Sequence, residues 1–250
     1  MINENKIKAL TLLHKKKERL KHQRYIIEGS RIIEAYLESK KLLDEIYCTN
    51  NYLLKNNNLI EKIKNKNIDI NLITEKELNR ISNTINSSGI IGVCQISQAQ
   101  NINYKSNIWL YLFELTDPGN IGSLIRSASW FGIKNIAFSP FSIDPYNPKV
   151  VRSSMGAYPK VNLFTKIEIQ DFKDNDYQLI GADQNSNAQI EQIKISKKKV
   201  LVLGSEAHGL DDGIISALDY KISIPRIGFG ESLNVAAAGA IIMEKITTKK

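Results

Sequence analysis

Apolar residues come in short clusters along this chain, and the spacing inside each cluster predicts what it forms. Between residues 5 and 24, Ile7, Leu10, Leu13 and Leu20 recur at loosely helical intervals. Short apolar runs then alternate with helical patterns. Residues 25–27, 45–48, 68–73 and 90–96 predict strands, while 30–37, 59–64 and 75–81 predict helices. Helix and strand in alternation point to a compact α/β unit. From Ser97 to Asn107 the apolar content falls away, and Gln98, Gln100, Asn101, Asn103 and Ser106 take over. That polar stretch predicts a linker at 99–107, between one domain over 1–98 and a second over 108–250.

The second domain begins with Ile108 to Phe113, a continuous apolar and aromatic run suited to a strand buried on both faces. Asp117-Pro118-Gly119-Asn120 predicts a turn, with Pro118 and Gly119 providing its backbone angles. In the helix that follows, Ile121, Leu124, Ile125, Ala128 and Phe131 share one face, while Gly122, Arg126 and Ser129 lie along another. Further strands are predicted at 178–182, 199–203 and 220–224, each ending in small or polar residues. Open α/β sheets bind ligands outside the carboxyl ends of their strands, so these endings are where chemistry is expected. Ser232 stands at the N-cap position of a final helix over 233–246. The run Ala236 to Ala240 in that helix is small enough for close packing, within the fold or between subunits.

Composition excludes more than it identifies. With 250 residues, 42% hydrophobic and 24% charged, the chain is an ordinary soluble protein able to bury one good core or two modest ones. No run approaches the roughly 18 apolar residues of a membrane span, and the early acid Glu4 speaks against a secretory signal. Cys48 and Cys94 are the only cysteines and have no metal-site spacing, so a reducing cytoplasm is expected. His14, His22 and His208 form no metal or triad pattern, and no metal is expected. There is no Gly-x-Gly-x-x-Gly fingerprint or Gly-Lys-Ser/Thr phosphate loop. Gly230-Glu231-Ser232-Leu233-Asn234 misses the Gly-x-Ser-x-Gly elbow at its last position.

Charge changes the picture at one place. The net charge is +8, and residues 1–24 hold eight Lys/Arg against two Glu, which is +6 of it. Lys15, Lys16, Lys17, Arg19, Lys21 and Arg24 therefore predict a sequence-independent, phosphate-binding strip for RNA. The plainer alternative is a solvated helix face.

Three stretches carry the candidate chemistry. They are Thr116-Asp117-Pro118-Gly119-Asn120-Ile121-Gly122-Ser123-Leu124-Ile125-Arg126, then Leu203-Gly204-Ser205-Glu206-Ala207-His208-Gly209-Leu210, then Ile224-Pro225-Arg226-Ile227-Gly228-Phe229-Gly230-Glu231-Ser232-Leu233-Asn234-Val235. Taken singly they are weak: Gly204-Ser205-Glu206 reads equally as a helix N-terminus with Ser205 as cap. In this order and spacing they resemble the three signature motifs of the SpoU (TrmH) family of RNA 2'-O-ribose methyltransferases, in the SPOUT superfamily. Ser154-Met155-Gly156-Ala157 resembles a small-residue segment found between the first two motifs. Arg24 to Ala35 resembles, more loosely, the opening of the ribosomal-protein-like domain with which many members hold RNA.

The resemblance implies an α/β chain with a small N-terminal ribosomal-protein-like domain and a C-terminal SPOUT domain tied in a trefoil knot. It implies S-adenosylmethionine as cofactor and a homodimer as the working form. Asn120 and Arg126 match the polar pair of the first motif, Glu206 the acid of the second, and Ser232 and Asn234 the polar pair of the third. Gly204, Ile224 and Leu233 match positions on the cofactor. Arg226 stands where the family often has Met. Arg126 is then expected to act on the ribose hydroxyl, with Glu206 anchoring Arg126 or the cofactor loop. Large-subunit (23S) ribosomal RNA is the favoured target. A transfer RNA target, a non-catalytic RNA-binding relative used in ribosome assembly, and an unrelated nucleotide-binding enzyme are the alternatives.

Overall fold

The computed structural model describes residues 2–96 and 102–248. The chain begins with α1 (Glu4–Leu12), α2 (Lys16–His22), β1 (Arg24–Glu28), α3 (Ser30–Leu37), β2 (Leu43–Thr49), α4 (Asn50–Lys55) and α5 (Asn57–Lys64). Next come β3 (Asp69–Ile73), α6 (Glu75–Ile81), β4 (Ile90–Gln95), β5 (Ile108–Leu112), α7 (Pro118–Trp130), β6 (Asn135–Phe138) and α8 (Pro148–Ser153). It ends with β7 (Asn162–Thr165), α9 (Ile169–Lys173), β8 (Gln178–Ala182), β9 (Lys199–Leu203), α10 (Asp212–Ala217), β10 (Tyr220–Ile222) and α11 (Val235–Thr248). The fold is α/β throughout.

Two compact units result. One contains Met1–Gln98 together with Tyr146–Lys160, the other Ala99–Pro145 with Val161–Lys250. The stretch 146–160, which follows β6, is thus part of the first unit, a feature that a simple division at a linker does not anticipate.

The first unit is built on a mixed four-stranded sheet of order β1-β4-β2-β3, with only β2 and β3 parallel. The apolar stripe of α1 meets α6 and one face of that sheet in a core of Ile7, Leu10, Leu13, Ile26, Leu78, Ile81 and Ile91. Leu20, placed on the same helical pattern by its spacing, is exposed instead. The chain breaks between α1 and α2, so 5–24 is two short helices and not one. A capping box between Thr74 and Glu77 starts α6 where the sequence predicts it.

The second unit is a parallel six-stranded sheet of order β10-β8-β9-β5-β6-β7. Its central strand β5 sends Trp109 and Tyr111 into an aromatic core with Phe172 and Tyr177, while Leu110 and Leu112 are buried on the other face. Trp109 donates Nε1–H to the Tyr177 hydroxyl at 3.2 Å. The strand order reverses at β5, with β6 and β7 on one side and β9, β8 and β10 on the other. Crevices form at such switch points, outside the strands' carboxyl ends.

Of the polar stretch expected to be a linker, residues 97–101 lie outside the described residues. In the remainder Asn103, Lys105 and Asn107 are exposed. Ile102 and Tyr104 pack on the aromatic core, with the Tyr104 ring edge-on to Phe172 at 5.8 Å.

Candidate active site

The four residues that predict a turn are the start of α7. Asp117 is its N-cap, its side chain accepting from the Asn120 amide at 2.7 Å, and Pro118 occupies the first helical turn. Proline suits that position because its fixed φ is helical and its missing N–H has no partner there anyway. The first turn of α7 therefore presents Asn120 at the carboxyl end of β5.

After β9 the chain makes a tight loop in which Ser205 and Gly209 exchange two main-chain hydrogen bonds of 2.9 Å. No helix starts at Ser205, whose hydroxyl accepts from the His208 amide instead. Gly204 is required by contact: a Cβ there would lie 2.3 Å from the Gly209 carbonyl carbon. After β10, the glycine-containing loop is bridged by Arg226, whose Nη1 donates to the Gly230 carbonyl at 2.7 Å. Ile227 and Phe229 on this loop are fully exposed. The helix predicted from 233 begins at Val235, and Asn234, not Ser232, caps it by accepting from the Ala236 amide at 2.9 Å.

Three distant residues meet here. Asn120 Nδ2 donates to Glu206 Oε1 at 3.0 Å, and Asn234 Nδ2 donates to Asn120 Oδ1 at 2.9 Å. The sequence separations are 86 and 114 residues. Because Asn234 Oδ1 is used by its own helix, each amide has one orientation that satisfies the network. Glu206 is therefore engaged by Asn120 and not by Arg126.

These loops line a cleft of about 1180 Å³. Asn120, Gly204, Glu206, Ile224, Ser232, Leu233 and Asn234 all border it. Arg126 does not: it lies farther along α7, exposed and with no side-chain hydrogen bond or ion pair to any described residue. Asp183, Gln184, Asn185 and Ser186 line the cleft as well, and sequence reasoning missed them. Their signal was the polar ending of a predicted strand, now β8, next to the two strands that carry motifs. Behind the cleft, Gly239 packs α11 so closely on α7 and β9 that a Cβ would lie 2.5 Å from Leu124 Cδ2. Part of the small-residue run thus serves a seam inside the unit.

The proposed basic strip, in the first unit, divides. Lys15, Lys16, Lys17 and Lys21 are exposed. Arg19 is not: it is 2% exposed and its Nη1 donates to the Leu13 carbonyl at 2.9 Å and the His14 carbonyl at 2.7 Å. These carbonyls belong to the break between α1 and α2, so Arg19 holds the bend and is unavailable to phosphate. Arg24 pairs with Asp44 at 3.2 Å and with Glu45 at 3.0 Å, so its charge is largely answered.

Among the described residues no group of three His, Cys, Asp or Glu could hold a metal ion, and no helix is long and apolar enough to cross a membrane. Residues 107–244 match the SpoU rRNA Methylase family, and residues 4–92 match the MRM3-like substrate binding domain. The chain is 27% identical to the 23S rRNA (guanosine(2553)-2'-O)-methyltransferase RlmP of Bacillus subtilis (strain 168), over 95% of this chain and 94% of that one. A TrmH-family protein from Porphyromonas gingivalis superimposes with a TM-score of 0.86 at 26% identity, over 98% of both chains. The fold also matches the SpoU methyltransferase AviRb from Streptomyces viridochromogenes, solved with AdoMet, at a TM-score of 0.87 and 20% identity over 98% of this chain and 97% of that one.

Proposed function

Since this chain belongs to the SpoU rRNA methylase family, we propose that it transfers a methyl group from S-adenosylmethionine to a ribose 2'-oxygen of RNA, with 23S ribosomal RNA as target. The observation that carries this is the hydrogen-bonded chain Glu206–Asn120–Asn234, which ties one polar residue from each motif together at the mouth of one cleft. The relative in Bacillus subtilis that spans nearly the whole chain supports the choice of target.

The cleft suits this cofactor. It is large enough for a nucleoside with a side chain, and Gly204, on its lining, lets the loop after β9 close tightly on Gly209. When bound, S-adenosylmethionine supplies a methyl already activated by its sulfonium. The protein's task is alignment and charge stabilisation. Gly204, Ile224 and Leu233, which line the cleft, would hold the adenosyl moiety. Asn120, Glu206 and Asn234 fix the three loops relative to one another, and Ser232 orients the sugar. Arg126 keeps its proton under ordinary conditions, so it polarises the 2'-hydroxyl or its flanking phosphate and does not act as the base. Without a side-chain partner among the described residues, the guanidinium is free for that contact.

Homodimer formation and the trefoil knot belong to the same proposal. The exposed Trp130 on α7 and Ile241 on α11 support a protein-facing surface on these two helices. Action in the cytoplasm agrees with Cys48 and Cys94, which are free and buried. The test is transfer of labelled methyl to 23S rRNA followed by nucleoside analysis. A 2'-O-methylated nucleoside is expected. Label on a base, or none with cofactor bound, would contradict the proposal.

A further inference from the structure

The segment Tyr146–Lys160 is encoded between two strands of the second unit yet packs within the first. Its attachment is specific. The Tyr25 ring, on β1, lies 5.0 Å from that of Tyr146 and 5.8 Å from that of Tyr158. The Lys41 ammonium stands over the Tyr158 ring at 5.7 Å, and Lys160 pairs with Glu38 at 3.8 Å. Val150, Val151, Tyr158 and Pro159 are buried. At Gly156 a Cβ would touch α3, 3.4 Å from the Arg31 carbonyl oxygen and 3.6 Å from Ala35 Cβ, and φ there is +89°. A side chain at this point would be strained by that backbone angle, and the loop here rests against the start of α3.

The charge of the segment itself is one-sided, while α3 opposite it carries Glu34, paired with Lys62, and Glu38, at its C-cap, pairs with Lys160. The segment holds Lys149, Arg152 and Lys160 and no acidic residue. Lys149 and Arg152 on α8 are exposed, as is Arg31 on α3, and none of the three has an ion pair or a side-chain hydrogen bond with any described residue. Just after α8 and next to Gly156, Met155 is held at φ 51° with half its surface exposed. Two free guanidinium groups and an ammonium beside an exposed thioether suit a single-stranded phosphate backbone with an unstacked base. The contrast with Arg24 is instructive, because that arginine is neutralised by Asp44 and Glu45 whereas these are not.

We propose that Arg31, Lys149 and Arg152, around Met155 and Gly156, form a phosphate-contacting face of the RNA site, in addition to the lysines of α2. This rests on the reading of the chain as an RNA methyltransferase. Arg31 and Arg152 are positioning residues: they hold substrate and take no part in methyl transfer.

The test uses the full chain, a naked 23S rRNA fragment that it methylates, and the double variant Arg31→Gln/Arg152→Gln. Both side chains are exposed, so folding is expected to persist; thermal melts check this. A second variant, Lys149→Gln, probes the same face. Removing two phosphate contacts should flatten the log affinity against log salt slope by about 1.4–1.8. RNA affinity should fall roughly tenfold or more at moderate salt, with KM rising in step. kcat at saturating RNA and the affinity for S-adenosylmethionine should stay within about twofold, a split that a merely structural role would not give. An unchanged salt slope in a variant that is folded overturns the inference. Unchanged binding to naked RNA with weaker methylation of ribosomal particles also overturns it, by assigning the face to a protein partner. A wild-type chain that methylates no RNA would instead sink the functional proposal, so the two failures are distinguishable.

Discussion

The cleft of the second unit and the basic helix α2 of the first were both marked by sequence, and the structure treats them differently. In the cleft, residues from three segments, with 86 and 114 positions between the bonded pairs, are drawn into one hydrogen-bonded chain, Glu206–Asn120–Asn234. In and around α2, six residues that share a short run separate into different roles: Arg19 is buried in a helix bend, Arg24 is ion-paired at the start of β1, and four lysines face outward. Nearness in sequence guaranteed nothing about shared purpose, whereas distant polar residues at strand ends converged. The reason is physical. A strand's carboxyl end in a parallel sheet has a fixed place beside its neighbours' ends, while a run of cations on a helix is distributed around the full turn of 3.6 residues.

That contrast can be broken or sharpened by experiment. The largest effect is expected at Arg126. Arg126→Ala should lower methyl transfer by roughly 10²–10³-fold, the scale of losing one preorganised donor, while the melting temperature and cofactor affinity hold. Gly204→Ala comes next. Its Cβ has no room beside Gly209, so the fold should lose about 1–3 kcal/mol, as overpacking usually costs. Cofactor affinity, measured by calorimetry, should fall with it. Arg19→Met should destabilise the protein by about 1–3 kcal/mol, because buried carbonyls lose their donor, and should leave the salt dependence of RNA binding unchanged.

Smaller effects separate the two regions further. In a double-mutant cycle, Asn120→Ala and Glu206→Ala should couple by about 0.5–1 kcal/mol in cofactor binding, since they share a hydrogen bond. Additive losses would mean that the bridge does not order the loops. The triple variant Lys15→Gln/Lys16→Gln/Lys17→Gln should change stability by no more than about 0.5 kcal/mol. It should flatten the salt slope of RNA binding by about 2–3. A stability loss like that of Arg19→Met would refute the division of α2 into structural and exposed cations.

Much of this was legible in the sequence for identifiable reasons. Helices such as α3 and α6, with an amphipathic stripe and an N-terminal boundary, lie where the periodicity predicts, as do β8 and β9, whose apolar runs end in polar turns. The close approach at Gly204 followed from its type and its place after a strand. Other features depend on contacts that spacing does not encode. Pro118 and Gly119 carry turn residues, yet Asp117 caps them into a helix. Ser232 and Asn234 both suit an N-cap, and only the fold shows that Asn234 takes it. The pairing of Asn120 with Glu206, in place of an Arg126 anchor, needs the loop geometry. Nothing in the pattern of 146–160 announces that it packs on β1 and α3.

The most direct test of the central claim is a single-turnover transfer of labelled methyl from S-adenosylmethionine to 23S rRNA, run with the wild-type chain and with Arg126→Ala and read out as nucleosides. The wild type should yield one 2'-O-methylated nucleoside. The variant should yield none on the same timescale while binding the cofactor as tightly. Equal yields from both proteins, or label on a base, would contradict the account.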